Sequence, residues 1–493
     1  MARWSTRAGA RSILAALAVA ATLPWFGCAT NPATGKREIS FVSRGKELEM
    51  GREADPAILA EYGLYGDSTV QRYVDSVGQR LAAVSHLPGL TWHFRVLDSP
   101  VVNAFALPGG YIYITRGILA HMNSEAQLAG VLGHEIGHVT ARHSAEQITR
   151  SEIASVGLLV GTIFVGAFRP YSAIAQQGLG LLFLKYSRDN ETQADELGVG
   201  YSVRANYDPR VIPSTYAMLK RVSERHGANL PSFLSTHPDP GDREIRTTQL
   251  AGAAYASAHR ELRVATSDYR RHIEGLVFGD DPRGGFFIQN RFYQPDLGIE
   301  MIFPDGWETQ NQPSAVTAVN RSLGGAMELS LQFFKDTTTT PDGYVRWLMQ
   351  EGKIANAAGK SERFRDYPAW IGIVSVGGEG SPADMIAGFV RYNPGQFLQV
   401  LGQAPSSTSR AADQIYASIR SLAAIRDSSL LQVTADRIHF VALGAAGDFA
   451  SALEALGPQG ASVEDTAILN NVRATATVPA GTTIKIVRKG RHA

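Results

Sequence analysis

Cysteine is almost absent from this chain, because Cys28 is the only one in 493 residues. A single cysteine cannot close a disulfide within the chain, so the fold must be stable without one. An excess of charge of one sign is lacking as well, since 47 basic and 46 acidic residues leave a net charge of +1. Proteins that bind nucleic acid through its phosphates carry a basic field that this composition does not provide. We therefore expect no nucleic-acid partner.

Hydrophobic runs of comfortable transmembrane length are also lacking in the body of the chain. Residues 153–168 carry no charge over 16 positions, whereas a transmembrane helix needs about 20 apolar residues. A second apolar stretch, 178–184, follows. We expect a buried helix in the region 153–184, and a hairpin that touches a membrane is the alternative.

The first 27 residues have the composition of an export signal. Arg3, Arg7 and Arg11 precede a short apolar core without any acidic residue, which is the order of regions in a signal peptide. Cys28 follows directly, and the sequence WFGC resembles a bacterial lipobox, which implies that Cys28 is lipidated. Ala29 comes next and, by the same resemblance, favours the outer membrane. We expect a periplasmic lipoprotein anchored to that membrane, with plain export to the periplasm as the alternative.

The length of the chain predicts several domains. Residues 28–262 combine helical patterning with a strand-like segment, 91–97, and a segment, 103–115, that is predicted to form two strands joined by a Pro-Gly-Gly turn. The composition shifts towards that of a linker around DDPRGG, residues 280–285, so 263–285 is predicted to be a linker. Residues 286–425 are predicted to be an α+β accessory domain, and residues 426–493 a small C-terminal module. The expected fold class is α+β.

Histidine is crowded into one short segment. The stretch VLGHEIGHVTARH, residues 131–143, holds three of the 12 histidines. On a helix, His134 and His138 lie on one face, one turn apart, and can both bind a single zinc ion. Glu135 lies beside them and can act as general base towards a water molecule. For the third histidine, His143, a capping or packing role is favoured.

A catalytic zinc site needs a third protein ligand and one open position. Glu191 is the candidate, in the run ETQAD, with Asp195 one helical turn later on the same face. Asp195 would accept the free N–H of a ligand histidine and fix its tautomer. From spacing alone, a solvated acidic helix face is the alternative.

Four sequence blocks carry a family resemblance: NAFALPGGYIYITRGIL, LGHEIGHVTARH, SRDNETQADELG and STHPDPGDR. In this order, over residues 40–255, they resemble the HtpX/BepA-type zinc metallopeptidases, gluzincins related to the CAAX prenyl protease and Oma1. The resemblance implies a mainly helical zincin-type domain with a small edge-exposed β-sheet. It also implies one Zn²⁺ per chain, bound by His134, His138 and Glu191, with Glu135 as the catalytic residue.

The same resemblance implies further roles near the metal. Asn103, Ala104 and Phe105 match an edge strand that holds an extended substrate. His237 and Arg243 match a loop histidine and a following arginine of the active site. His237 would either occupy the open position of the zinc ion at rest or donate a hydrogen bond to the oxyanion. A histidine that only supports its proline-rich loop is the alternative.

The two C-terminal regions lie outside this resemblance. Residues 286–425 have a vague similarity to PsbP-like folds that assigns no role. The tail 426–493 is similar in outline to a degenerate LysM module, with Asp448, Asn470 and the closing PAGTTIKIV, but GDF stands where GDT is usual. A LysM module implies peptidoglycan as a partner, and a terminal β-rich appendage is the alternative.

The expected function is a zinc-dependent endopeptidase of the bacterial cell envelope that cleaves misfolded or unassembled exported proteins. The alternative is a periplasmic chaperone or assembly factor for outer-membrane proteins with latent or no proteolysis. A wall-binding scaffold, based on the tail, is a third possibility.

Overall fold

The computed structural model describes residues 28–155, 185–226, 233, 237, 240–376 and 383–492. The predicted signal peptide, residues 1–27, lies outside these residues, and so does nearly all of the apolar region 153–184. Among the described residues, none of the helices is both long and apolar enough to cross a membrane. Helices and sheets are mixed throughout, so the expected α+β class is confirmed.

The N-terminal half is mainly helical and contains one small sheet. In this sheet β5 lies in the centre, parallel to β3 and antiparallel to β4. The elements of this half are β1 Cys28–Thr30, β2 Arg37–Ile39, α1 Arg44–Tyr62, α2 Ser68–Ala82, β3 His93–Leu97, β4 Ala104–Leu107, β5 Tyr111–Thr115, α3 Arg116–His121, α4 Glu125–Thr140, α5 His143–Ser155, α6 Arg188–Arg204, α7 Ile212–His226 and α8 Pro240–Ala258.

The hydrophobic core of this half lies between the sheet and the helices. Side chains of α2, β3, β5 and α4 meet there, among them Val74, Phe94, Ile114 and Leu128, all buried. Since α4 contributes buried residues along nearly its whole length, it is the central helix of the domain. Any functional group on α4 is therefore held by a packed interior rather than by a loop.

The segment 263–285, predicted to be a linker, is built into this core. It contains α9 Thr266–Ile273 and β6 Val277–Phe278, and its Tyr269, Ile273 and Leu276 are buried in the same cluster. The glycine, proline and charged residues on which the linker prediction rests are concentrated after β6. The apolar residues before them are spaced one helical turn apart and pack inward.

The region 286–425 contains a seven-stranded antiparallel sheet in the order β10–β11–β12–β16–β15–β14–β13. One helix packs on each face: α10 against Trp370 and Phe389, and α11 against Ile371 and Val400. The elements are β7 Phe286–Ile288, β8 Arg291–Gln294, β9 Ile299–Ile302, β10 Glu308–Gln312, β11 Ala315–Asn320, β12 Gly325–Phe333, α10 Pro341–Gln350, β13 Asn356–Phe364, β14 Tyr367–Val376, β15 Ala383–Asn393, β16 Gln396–Gln403, α11 Arg410–Ser421 and β17 Ala423–Ala424.

The C-terminal region has a strand–helix–helix–strand order and is docked on the N-terminal half. Its outer strands pair with each other, and β18 also pairs with β6. The buried Lys485 Nζ donates to the carbonyls of Ala120 and Met122, at 2.6 and 2.7 Å, and so joins the region to the end of α3. The elements are β18 Asp436–Ala442, β19 Gly447–Asp448, α12 Phe449–Glu454, α13 Val463–Leu469, β20 Thr477–Val478 and β21 Thr483–Arg488.

Candidate metal centre

Helix α4 places two histidines and a glutamate in the interior. The Ser124 side chain caps its N-terminus by accepting from the backbone N–H of Gln127. His134, Glu135 and His138 are all buried. The Nε2 atoms of the two histidines lie 2.9 Å apart, so the i, i+4 spacing directs both rings to one point.

Helix α6 lies unusually close to α4 because glycines face each other at the crossing. A Cβ atom on Gly198 would lie 2.9 Å from the backbone nitrogen of His134, and one on Gly133 would lie 3.0 Å from the carbonyl oxygen of Gly198. Any larger residue would push the helices apart. The close approach brings Glu191, which stands one turn after the capping box of Ser187, to the two histidines.

Four side chains converge at this crossing. His134, His138, Glu191 and His237 each offer one ligand atom, and these atoms all lie within 4.8 Å of one another. A Glu191 oxygen is 3.4 Å from His138 Nε2, the other is 3.6 Å from His134 Nε2, and His237 Nδ1 is 2.9 Å from Glu191. Burial lowers the pKa of His138, so its imidazole is neutral, as metal binding requires. Burial alone would raise the pKa of Glu191, but His237 and Arg243 lower it to about 2.

Unsatisfied polar atoms surround the same point. Both carboxylate oxygens of Glu135 and the Nε2 of His237 are buried without a hydrogen-bond partner among the described residues. His237 Nε2 is 3.8 Å from Glu135 Oε1, and burial raises the pKa of Glu135. Buried polar groups without partners are costly in a folded protein. The cluster of ligands and the unpaired atoms beside it fit a metal ion and a water molecule.

Behind the ligands, Asp195 and Arg243 form a buried ion pair. Arg243 NH2 is 2.6 Å from Asp195 Oδ1, and Arg243 NH1 is 2.5 Å from Glu191 Oε2. The Tyr216 hydroxyl donates to Asp195 at 2.7 Å. Although burial raises it, the pKa of Asp195 is held well below its usual value by Arg243 and His134. Arg243 therefore contacts the two acidic residues of the site, and Tyr216 is a participant that the sequence did not indicate.

His143 also contacts the site, although the sequence favoured only a capping or packing role for it. Its Nδ1 lies 3.0 Å from Nδ1 of His138, and its Nε2 lies 2.9 Å from Oε1 of Gln193. Five residues along a continuous α-helix would turn its side chain about 140° away from His138. The chain instead breaks between α4 and α5, where Arg142 has a φ of 59°.

The strand implied for substrate binding borders α4. Ala104 and Phe105 begin β4, Asn103 precedes it, and β4 lies at the edge of its sheet. All four residues of β4 are buried, so this edge is covered rather than open to solvent. The Asn103 side-chain oxygen is buried without a partner among the described residues.

Comparison with known proteins agrees with this geometry. The sequence model of peptidase family M48 matches residues 68–248. The mitochondrial metalloendopeptidase OMA1 of Arabidopsis thaliana is 37% identical over 198 residues, which are 39% of this chain and 39% of that protein. OMA1 of Schizosaccharomyces pombe is 34% identical, over 43% of this chain and 63% of that protein. The beta-barrel assembly-enhancing protease of Escherichia coli K12 is 28% identical, over 47% of this chain and 50% of that protein.

These matches confirm the resemblance to the BepA- and Oma1-related metallopeptidases, although they cover less than two thirds of each relative. Among solved structures, the cyanobacterial PsbP protein of Synechocystis has a TM-score of 0.22 and 14% identity, over 28% of this chain and 94% of that chain. A similarity this low carries no argument about residues 286–425. Residues 68–248 of this chain are a peptidase family M48 domain, in which His134, His138, Glu191 and His237 form a possible metal site.

Proposed function

We propose that this protein is a zinc-dependent endopeptidase. The observation that carries the proposal is the convergence of His134, His138 and Glu191, whose ligand atoms lie within 4.8 Å of one another, beside the unpaired carboxylate of Glu135. Two neutral imidazoles and one carboxylate form a ligand set of catalytic zinc sites. Hard cations such as Mg²⁺ and Ca²⁺ prefer oxygen ligands, so nitrogen donors favour zinc over them.

When bound, the zinc ion supplies Lewis-acid chemistry at the scissile carbonyl and makes water more acidic. Glu135 takes the proton from the attacking water and delivers it to the leaving amine. Both of its oxygens lack a competing hydrogen bond, so the base is not blocked by the protein. Its raised pKa suits a group that must both accept and release a proton.

His237 completes the ligand set in the described conformation. His237 is one of the four residues whose ligand atoms converge, and its Nδ1 lies 3.4 Å from His134 Nε2. Since a site with four protein ligands has no open position, we propose that His237 must withdraw before a substrate can bind. Of the two active-site roles implied for His237, the geometry supports the resting ligand over the oxyanion donor.

An extended peptide is the proposed substrate, bound along β4. Along antiparallel strands, residues whose backbone groups bond to the neighbouring strand alternate with residues whose backbone groups point away from it. The backbone carbonyl of Asn103 accepts from the backbone N–H of Thr115. The backbone groups of Ala104 and Ala106 therefore point away from β5, to the side where none of the described strands pairs. A peptide that adds to this edge is recognised mainly through its main chain. Because the edge is covered in the described conformation, it must be uncovered for binding.

We propose the bacterial cell envelope as the location, with misfolded or unassembled exported proteins as substrates. The support is the signal-like composition of residues 1–27, the lipobox-like position of Cys28, and the similarity to a beta-barrel assembly-enhancing protease. Unfolded proteins expose the extended segments that an edge strand can bind. A lipid on Cys28 would anchor the enzyme to the outer membrane, and the strand–helix–helix–strand tail would bind peptidoglycan.

A second candidate function is that of an assembly factor with latent proteolysis. The observation in its favour is the position of His237, since a fourth protein ligand would keep the metal ion closed to substrate. In this case the protein would hold an unfolded client along β4 and release it uncleaved.

The test is zinc-dependent cleavage of a denatured model protein by the purified chain. We expect a chelator to abolish cleavage and added Zn²⁺ to restore it. Glu191→Ala is expected to lower the zinc content, whereas Glu196→Ala, an exposed glutamate on the same helix, leaves it unchanged. Metal-free wild-type protein that cleaves normally would refute the proposal, and binding of denatured protein without cleavage would favour the assembly factor.

A further inference from the structure

The two ring nitrogens of His138 have different neighbours. Nε2 faces the ligand cluster, 3.4 Å from Glu191 Oε1, whereas Nδ1 faces His143 Nδ1 at 3.0 Å. A hydrogen bond between two ring nitrogens requires that one carries the proton and the other is bare. Only a proton on Nδ1 of a neutral His138 leaves the Nε2 lone pair for a metal ion, so the direction of this bond decides whether His138 can be a ligand.

In this structure Gln193 presents an acceptor to the other ring nitrogen of His143, which is consistent with one direction of that bond. Its Oε1 lies 2.9 Å from Nε2 of His143, and an amide oxygen is only an acceptor. His143 must therefore carry its proton on Nε2 and keep Nδ1 bare. The bare Nδ1 accepts from Nδ1–H of His138. With the amide reversed, each bond would reverse, and His138 would present a protonated Nε2 to the metal.

The contact between the two histidines depends on the turn at Arg142. The left-handed conformation of Arg142 is held by its guanidinium, which donates to Glu47 Oε2 at 3.0 Å and to the carbonyl of Val42 at 2.6 Å. A further bond joins the Asn31 side chain to the carbonyl of Ala141 at 2.9 Å. Asn31, Val42 and Glu47 thus hold the turn that brings His143 against His138.

We propose that His143 and Gln193 are positioning residues that fix the tautomer of His138 and thereby set the metal affinity of the site. His134 is fixed in the corresponding way by Asp195, so the two ligand histidines are held by different groups. This inference rests on the proposed metal site. Outer partners of a ligand histidine contribute about 10–100-fold to metal affinity.

The test is zinc affinity, measured by competition with a chromophoric chelator on the purified protein. His143→Phe keeps the ring and removes both nitrogens, and His93→Phe is the matched control, since His93 is half-buried and stacks on Tyr111 away from the site. We expect the first variant to bind zinc roughly 10–100-fold more weakly and the control to bind as wild type does. The visible absorption of the Co²⁺-loaded protein is expected to change in His143→Phe only, since it reports the ligand geometry.

Gln193 gives an independent pair of variants, which decides the matter if His143→Phe does not fold. Gln193→Leu removes the acceptor and is expected to weaken zinc binding, whereas Gln193→Glu keeps an acceptor and is expected to retain it. Thr192→Glu adds the same charge one position away and controls for its electrostatic effect. If wild type binds zinc and Gln193→Leu binds it as tightly, this inference is wrong, and a folded His143→Phe that binds zinc as tightly as wild type refutes it as well. If wild type binds no zinc, the proposed function fails first.

Discussion

Asp195 Oδ1 lies 3.0 Å from Nδ1 of His134. The carboxylate is held in turn by Arg243, by Arg246 at 2.6 Å and by Tyr216. A proton on Nδ1 of His134 is directed to Asp195, and this arrangement leaves the lone pair of Nε2 for a metal ion. The ion pair behind the ligands is thus part of the metal site as well as of the fold.

Replacement of Asp195 by Asn tests this arrangement. The variant removes one of the two charge partners of the buried Arg243, which keeps Glu191. Since the loss of the whole partner charge of a buried pair typically costs about 3–5 kcal/mol, we expect a destabilisation of at most that size. Zinc affinity is expected to fall by about 10–100-fold. Chelator competition and urea unfolding of the metal-free protein measure the two effects. Asp189→Asn, an exposed position on the same helix, should change neither, and an Asp195→Asn protein with unchanged zinc affinity would contradict the arrangement.

Gly198→Ala is expected to disturb the crossing of α4 and α6. Its Cβ would lie 2.9 Å from a backbone atom, so the helices must separate and carry Glu191 away from the histidines. Gly200→Ala on the same helix is the control, because the nearest atom to its Cβ is 3.8 Å away, and replacing a helical glycine there should stabilise by about 0.5–1 kcal/mol. Thermal unfolding and zinc titration separate the two variants. Equal unfolding temperatures and zinc affinities of the two variants would show that the close approach of the helices is not required for the metal site.

Lys485→Met is expected to loosen the C-terminal region. The lysine donates to three buried carbonyls, those of Ala120, Met122 and Leu469, and each carbonyl left without a donor costs about 1–3 kcal/mol. Limited proteolysis should then cleave between the C-terminal region and the rest of the chain. Lys489→Met, at an exposed position, should leave the proteolysis pattern unchanged. A Lys485→Met protein as resistant as wild type would show that the lysine does not hold the two parts together.

His237→Ala is expected to raise the cleavage rate, because it opens the fourth position of the metal ion. If the closed state holds about 90% of the molecules, removing it raises the rate roughly 10-fold. Initial rates on a denatured substrate at saturating zinc measure the effect, with His93→Ala as control. A large fall in rate with unchanged zinc affinity would instead support the oxyanion role.

The metal ligands could be predicted from the sequence because their chemistry is local. His134 and His138 are one helical turn apart, and Asp195 stands one turn after Glu191, so helical periodicity alone places each pair on one face. The family resemblance of the four sequence blocks then indicated that these two helices lie side by side. His237, 46 positions after Glu191 in the chain, was indicated only by the family resemblance.

The remaining contacts could not be predicted because they depend on backbone breaks and on tertiary packing. His143 meets His138 only because Arg142 is left-handed, and nothing in the local pattern indicates a left-handed arginine. Tyr216 reaches Asp195 from another helix. The segment 263–285 has linker-like residues at one end, whereas its Tyr269 and Ile273 pack into the core of the N-terminal half. Gly275 also accepts a hydrogen bond from Arg437 of β18, 162 positions later.

The most direct test of the account is the cleavage of a denatured model protein by Glu135→Gln. Glutamine keeps the shape of the side chain and cannot act as the base, so the rate is expected to fall by about 10²–10⁴-fold while the zinc content stays at the wild-type level. Glu196→Gln, an exposed glutamate, controls for the loss of one charge and should cleave as wild type does. Cleavage by Glu135→Gln at the wild-type rate would contradict the account.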